Sequence, residues 1–493
     1  MKHRKGLRLI MNKAIEKYRL LPVQVRASLW FLVCSFLQKG ISMITTPIFT
    51  RIMSPEDFGE FGVFNSWYGI IAIIVALGLT GGVHTQGLVK YENEGPIFTS
   101  SLQGLSLTLV AFWFAIYLLF KDFWNSLFSL SSEQMISMFI LIWITAVFGF
   151  WANEQRVHYS YQSLVVVTLI SSVIKPAVEI IFVMSAADKA TARIIGWVIC
   201  DIVMFGWVFF AHLFKGKIYF SKKFWTYALA FNIPLVPHYL SQTVLNSADR
   251  IMIQRMVGDG EAGIYNLAYS VSLIMTLFNV ALTQTLNPWM YQKIKEKRIT
   301  SLAPVAYTTL IIVAVVNLLL IVMAPEAVAI FAPKEYYDAI WVIPPVAMSV
   351  YFMYSYDLFA KFAFYYEKTG IIMMASIIGA ILNVALNYIF IGKFGYMAAG
   401  YTTLVCFIIY AVAHYTFMRK VCRDCCEEKY PYSTSIILKI TIPFLVAGFI
   451  LMATYNYIYI RYGIVILTFI VAFVFRKKII EIVKGIINIR KRN

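Results

Sequence analysis

Four residues at helical spacing raise the first chemical question. Ser35, Lys39, Ser42 and Thr46 sit in a long apolar run and line one face of a helix with polar groups. A cation at the centre of a membrane helix costs about 2.5–3.5 kcal/mol on insertion scales, so Lys39 needs compensation from a single buried partner, a watery cavity or a ligand of opposite charge. A second stripe comprises His238, Gln242, Asn246 and Asp249, with Arg250 beside it. Neighbouring helical residues point about 100° apart, so Asp249 and Arg250 are not expected to neutralise each other. Asn279 and Thr283, with Thr276, Gln284 and Asn287, make a third, uncharged polar face. Such a face suits sugar hydroxyls or helix contacts equally. Lys175 and Glu179 stand four apart around Pro176, the spacing of an intrahelical ion pair at a kink.

The elements that must position these residues follow from composition. The chain has 493 residues, of which 60% are hydrophobic and 14% charged, with a mean hydropathy of +0.72. These values belong to an integral membrane protein. Fourteen runs are long enough for a helical crossing of about 20 residues: 27–49, 62–86, 97–120, 135–152, 161–184, 193–214, 227–253, 263–287, 302–331, 340–360, 371–391, 397–418, 436–455 and 461–475. They are continuous rather than alternating, which selects helices over a barrel. Pro234 and Pro237 are expected to bend the seventh.

The 43 Lys and Arg against 25 Asp and Glu fall mostly on one side of this array. That asymmetry places both termini in the cytoplasm and accounts for the charge through topology and anionic lipids, with no call for nucleic acid. The first 26 residues are basic and lack the pattern of a cleavable signal peptide. Cys422, Cys425 and Cys426 form a C-x-x-C-C without a second ligand pair, so no metal is expected. No G-x-x-x-x-G-K-[ST], H-E-x-x-H or G-x-S-x-G motif occurs. The chain reads as a transporter rather than an enzyme. A membrane transferase would need a cluster of metal-holding carboxylates, for which Glu92 with Glu94, or Glu427 with Glu428, are thin candidates.

The sequence also repeats itself. TRIMSPEDFGEFG (50–62) and QRMVGDGEAGIYN (254–266) pair Arg51 with Arg255, Asp57 with Glu261, Gly59 with Gly263 and Phe61 with Tyr265, and the same offset brings Tyr161 onto Tyr365 and Gly196 onto Gly400. Six crossings per copy make the repeat parallel. The expected organisation is a basic cytoplasmic N-terminus (1–26), an N-lobe (27–214), an interfacial linker (215–226), a C-lobe (227–418), a cytoplasmic loop (419–435), two further crossings (436–475) and a basic tail (476–493).

Three blocks carry a family resemblance: QKGISMITTPIFTRIMSPEDFGEFGVFNS (38–66), IPLVPHYLSQTVLNSADRIMIQRMVGDGEAGIYNLAYSV (233–271), and YYEKTG with LNVALNYIFIGKFGYMAAGYTT (365–370, 382–403). Over essentially its whole length the chain resembles bacterial Wzx-type polysaccharide flippases of the multidrug/oligosaccharidyl-lipid/polysaccharide exporter superfamily. The resemblance implies two six-helix lobes with two extra C-terminal helices, in the bacterial plasma membrane. It implies a polyprenyl-pyrophosphate-linked oligosaccharide carried by alternating access through a cationic cavity, with membrane lipids, polysaccharide polymerase and glycosyltransferases as partners. Lys39, Arg250 and Lys175 are then the expected cations for the pyrophosphate, with Arg51 and Arg255 at the outer ends of related helices. No cofactor is expected, and a coupling ion, proton or sodium, is left open. Two alternatives stand beside this reading: an ion-coupled multidrug-type antiporter, which would rely on buried carboxylates such as Glu179 and Asp201, and a lipid II-type flippase.

Overall fold

A computed structural model describes residues 23–426, 429–474 and 476. Two compact units divide the chain. The first holds the residues up to Thr45 together with Ile71–Val236, and the second holds Thr46–Ile70 and the residues from Pro237 onward. Among the described residues there are helices and turns, and no strand.

Helices α1 (Val23–Ile52) and α2 (Pro55–Ala76) contribute to both units. The first unit continues with α3 (Gly82–Lys90), α4 (Gly95–Leu119), α5 (Lys121–Phe128), α6 (Ser132–Val157), α7 (Tyr161–Ser185), α8 (Lys189–Gly216) and α9 (Lys222–Asn232). Two of them, α6 and α8, start with a side-chain cap. Ser131 and Gln134 exchange side-chain and backbone hydrogen bonds ahead of α6, at 3.0 and 3.2 Å. Asp188 accepts from the Thr191 amide at 2.9 Å to open α8. The core of this unit gathers Leu79, Phe98, Leu102, Phe150, Phe224 and Ala228, from the α3 region, α4, α6 and α9.

The second unit contains α10 (Val236–Met256), α11 (Asp259–Ser272), α12 (Ile274–Lys295), α13 (Ala303–Val322), α14 (Ala324–Phe331), α15 (Ala339–Tyr365), α16 (Thr369–Phe394), α17 (Ala398–Cys425), α18 (Thr434–Ala453) and α19 (Ile458–Val474). Helix α15 is buried along most of its length, and its only charged residues, Asp357 and Lys361, stand in its last third. A helix that is apolar around most of its circumference belongs at the centre of its unit, and Met348, Tyr351, Tyr354 and Phe362 pack there against α13, α17 and α18. Gly395, in the left-handed region at φ +72°, turns the chain from α16 into α17.

Eleven of these helical segments are long and apolar enough to cross a membrane, so this is a multi-pass membrane protein. The other three of the fourteen expected crossings fall on α1, which carries Arg26, Lys39 and Arg51, on the polar α10, and on α19, which is 17 residues long. The seventh expected crossing is interrupted, since a 3-10 turn at Ile233–Leu235 separates α9 from α10 where Pro234 and Pro237 deny the backbone its donors. The expected interfacial linker, 215–226, is helical only at its ends. Helix α8 runs to Gly216, a short non-helical piece follows, and α9 begins at Lys222.

Candidate functional site

Helix α10 carries the most telling side chains of the second unit. Asp249 is only 1% exposed. Its Oδ2 accepts from the Tyr265 hydroxyl at 2.6 Å and from Thr403 Oγ1 at 2.8 Å, while Oδ1 accepts from Asn387 Nδ2 at 2.5 Å. A second row continues behind it. Asn387 Nδ2 lies 3.3 Å from Asn383 Oδ1, and the Thr402 hydroxyl donates to Asn387 Oδ1. Three neutral donors thus hold one buried carboxylate, an arrangement that leaves its negative charge stabilised but not cancelled.

Arg250, the next residue, faces elsewhere. Its Nε donates to Ser66 Oγ at 2.9 Å and an Nη to the Asn246 carbonyl at 2.8 Å, and the guanidinium lies 4.6 Å from the centroid of the Tyr269 ring. It is 9% exposed, and among the described residues it forms no ion pair. The side chains of Asp249 and Arg250 therefore point to separate environments, as the angle between helical neighbours requires.

The rest of the α10 stripe divides. Gln242 donates to Ser376 Oγ at 2.7 Å and to the Tyr410 hydroxyl at 3.3 Å, which turns it toward α16 and α17. Asn246 is exposed and donates to the Gln242 carbonyl at 2.8 Å. His238 is half-buried, and its Nδ1 is buried without a hydrogen bond. Farther along, Asn279 donates to the Val350 carbonyl at 3.0 Å and Thr283 to Asp357 Oδ2 at 3.2 Å. Asp357 in turn pairs with Lys361 at 2.6 Å. This charge pair on α15 escaped the sequence reading although its i, i+4 spacing was visible, because Lys361 falls at the edge of the apolar run.

Arg51 donates to the Pro47 and Ile330 carbonyls at 2.7 and 3.0 Å and borders a cavity of about 630 Å³ with Val328, Pro333, Lys334 and Tyr337. Its repeat partner Arg255 is exposed, over the Trp67 ring at 5.6 Å. The echoed segments meet each other directly. A Cβ at Gly59 would lie 1.9 Å from the Asp259 carbonyl oxygen, and one at Gly263 would lie 2.0 Å from that of Pro55. The glycines of the repeat are thus required for the close crossing of α2 and α11. Ser54 and Asp57 cap the first of these helices through reciprocal contacts of 3.1 Å.

In the first unit the cations behave differently. Lys39 is exposed on α1, as is Ser42; Thr46, just across the unit boundary, is half-buried, and the Ser35 side chain lies outside those described. Lys175 does not pair with Glu179, as the spacing suggested. It pairs with Asp201 on α8 at 2.8 Å and lies 5.1 Å from the Trp197 ring centroid, while Glu179 takes Arg193 at 3.1 Å. Both acids thereby satisfy partners on another helix, which ties α7 to α8. Lys39 and Lys175 belong to the first unit and Arg51, Arg250 and Arg255 to the second, so no single unit holds all five.

Cys422 is buried and Cys425 and Cys426 half-buried, with the Tyr366 hydroxyl 3.3 Å from Cys426 Sγ. Burial, reinforced by that thiol, raises the Tyr366 phenol above its ordinary value. Among the described residues no group of three His, Cys, Asp or Glu side chains could hold a metal ion; Glu427 and Glu428 lie outside them.

Comparison with known proteins agrees with this architecture. A family described as polysaccharide biosynthesis protein matches residues 25–294, and the MatE family matches residues 234–389. The chain is 21% identical over 382 residues to the Lsg locus putative protein 1 of Haemophilus influenzae, covering 73% of this chain and 89% of that protein. It is also 21% identical to a probable low-salt glycan biosynthesis flippase, Agl15, of Haloferax volcanii, covering 79% of this chain and 82% of the relative. Among solved structures it resembles the lipid II flippase MurJ in an inward closed conformation, with TM-score 0.70, 16% identity and coverage of 91% and 99% of the two chains. An inward-facing multidrug resistance MATE transporter gives TM-score 0.59 at 14% identity, with coverage of 78% and 95%. The folds are those of transporters rather than enzymes. With more than half of its length matched by one family, the chain belongs to the polysaccharide biosynthesis protein family, and it is a Wzx-type member of the multidrug/oligosaccharidyl-lipid/polysaccharide exporter superfamily.

Proposed function

We propose that this protein is a flippase that moves a polyprenyl-pyrophosphate-linked oligosaccharide from the inner to the outer leaflet of a bacterial plasma membrane by alternating access, with both termini in the cytoplasm. The observation that carries the reading is Arg250, a buried guanidinium held by a serine, a carbonyl and an aromatic face. A pyrophosphate leaving water needs cations whose charge is not already cancelled, and guanidinium meets phosphate with paired donors. Lys39, exposed on α1, supplies a second such charge. Lys175, closed on Asp201, contributes to helix packing instead. Polysaccharide polymerase and glycosyltransferases are the partners this activity requires before and after the crossing.

A second reading, the ion-coupled antiporter, is favoured by one feature, the buried carboxylate of Asp249 amid neutral donors and amide oxygens. Within the flippase reading the same carboxylate is the place for a coupling ion, proton or sodium. A strain lacking the protein should accumulate lipid-linked oligosaccharide on the inner leaflet. Lys39→Ala should reproduce that phenotype at normal protein level, and unchanged surface polysaccharide in that variant would remove Lys39 from the mechanism.

A further inference from the structure

Three buried titratable side chains of the first unit have no part in the function proposed above. His84 of α3, Glu154 of α6 and His212 of α8 converge around Thr99 and Gln103 of α4, and none of the five is more than 8% exposed. Polar contacts run through the group from both ends. His84 Nε2 is 3.1 Å from Thr99 Oγ1, and Thr99 stands beside the Glu154 carboxylate. Glu154 Oε2 is 3.3 Å from His212 Nε2, and His212 Nδ1 contacts the Gln103 amide nitrogen. Nothing in the spacing of His84 and His212 along the chain shows that tertiary folding brings them to one carboxylate.

Other charges around the cluster are engaged elsewhere. On α6, Arg156 donates to Asn153 at 2.9 Å and His158 is exposed; on α8, Lys215 is exposed. On α9, Lys222 is exposed, Lys223 pairs with Glu94 at 2.7 Å and the Tyr227 ring receives Lys90 of α3 at 4.8 Å. Helix α4 brings only Thr99 and Gln103 to the cluster. The carboxylate and two imidazoles are thus left to settle their protons among themselves.

Gln103 is suited to more than one settlement. With its nitrogen toward His212 Nδ1 it donates to a neutral imidazole whose proton sits on Nε2, facing Glu154. A half-turn of the same amide presents Oε1, which accepts from Nδ1–H of a protonated imidazole. Gln103 Oε1 and His84 Nδ1 are both buried without a hydrogen bond, so the cluster has unused capacity at each end. Buried polar atoms left unpaired are costly, and one added proton on His212, with the amide turned, would use the Gln103 oxygen.

The same turns of α4 hold the segment that joins α8 to α9. Ser100 Oγ donates to the Ile218 carbonyl at 2.7 Å, Trp225 Nε1 donates to the Ser101 carbonyl at 2.9 Å, and Thr108 Oγ1 lies 2.9 Å from the Tyr219 hydroxyl. At Gly104 a Cβ would lie 2.1 Å from the Tyr219 carbonyl oxygen. We infer that the His84–Thr99–Glu154–His212–Gln103 cluster is a proton-binding site of the first unit, and that its protonation controls the grip of α4 on residues 217–225. The proton comes from water and resides on the imidazoles or the carboxylate, and no other ligand is required.

The test uses the full-length protein in lipid nanodiscs and needs no cargo. Melting is followed between pH 8 and pH 5, the range in which histidine charge changes. The wild type should shift by several degrees across it, and Glu154→Gln, which keeps shape but not charge, should remove most of that shift. The surface variant Glu296→Gln should retain it. In the same samples, amide exchange of residues 217–225, corrected for intrinsic rates, should change by about tenfold with pH in the wild type only. If Glu154→Gln fails to fold, histidine-selective 15N NMR of the wild type decides. Of the six histidines, one should titrate in two linked steps. Independent titration of all six, an unaltered melting profile in Glu154→Gln, or a profile flattened by Asp249→Asn instead would overturn the proposal.

Discussion

Buried charge is held in two ways in this protein, and although the second unit also has closed pairs, Asp357 with Lys361 and Glu326 with Arg461, the sharpest contrast lies between two sets of residues. In the first, Lys175 meets Asp201 and Arg193 meets Glu179, each acid closed on a base from another helix. In the second, Asp249 and Arg250 are adjacent in sequence, yet each is held by neutral groups. A closed pair stabilises a helix contact and has little charge left for a ligand. A charge held by dipoles remains available, because hydrogen bonds lower its self-energy without supplying a counter-ion. The comparison teaches that burial alone does not set these charges apart; what singles out Asp249 and Arg250, on which the proposed function rests, is burial without a counter-ion among the described residues.

The largest effect expected is on the closed side of the comparison. Arg193→Met would strand a buried Glu179 and cost about 3–5 kcal/mol of stability, read as earlier loss of monodisperse protein on heating. Adding Glu179→Leu to that variant should restore most of the loss, since a well-packed apolar pair replaces a buried ion pair at little net cost. Failure of this rescue would show that the pair is not merely structural and would erase the distinction.

Arg250→Met sharpens the other side. Transport should fall about 10- to 100-fold, the worth of one or two hydrogen bonds to a charged group, with inner-leaflet lipid-linked oligosaccharide as the readout. No apolar substitution at Asp249 should rescue it. Stability should change far less than in Arg193→Met, since Ser66 and the Asn246 carbonyl lose only a partner.

A smaller effect is expected where no charge is involved. Gly263→Ala places a methyl group 2.0 Å from the Pro55 carbonyl oxygen, so α2 and α11 must separate. Overpacking of this kind costs about 1–3 kcal/mol, measurable in the melting of the purified protein. The least effect belongs to Glu296. Its hydrogen bond from Lys293 lowers its pKa, so whatever the pair contributes is present at neutral pH and is lost as pH falls through that lowered value. The carboxylate is exposed, and Glu296→Gln should leave the melting temperature unchanged at pH 7.

Much of the fold was legible because membrane helices announce themselves locally. Long apolar runs needed no tertiary information, and neither did a disturbance at Pro234 and Pro237, although the bend expected there is a full interruption of the helix. The separation of Asp249 from Arg250 was legible for the same reason, helical geometry being the same in every chain. The pairing of Lys175 was misread. Its i, i+4 neighbour Glu179 was the only acid that spacing could nominate, while Asp201 lies on another helix. The role of the echoed glycines was equally hidden, for a repeat in sequence does not say that its two copies touch.

What the sequence alone determined is therefore whatever depends on neighbours along the chain: helical, membrane-spanning character, the direction of polar stripes, and membership of a flippase family through blocks of contiguous residues. Only tertiary structure decided which charges are cancelled and which are held open, and which distant histidines share a carboxylate. The physical reason is distance. Hydrophobic burial and helix periodicity are summed over adjacent residues, whereas a hydrogen bond or ion pair acts within a few ångströms, and those ångströms are set by how helices far apart in sequence pack.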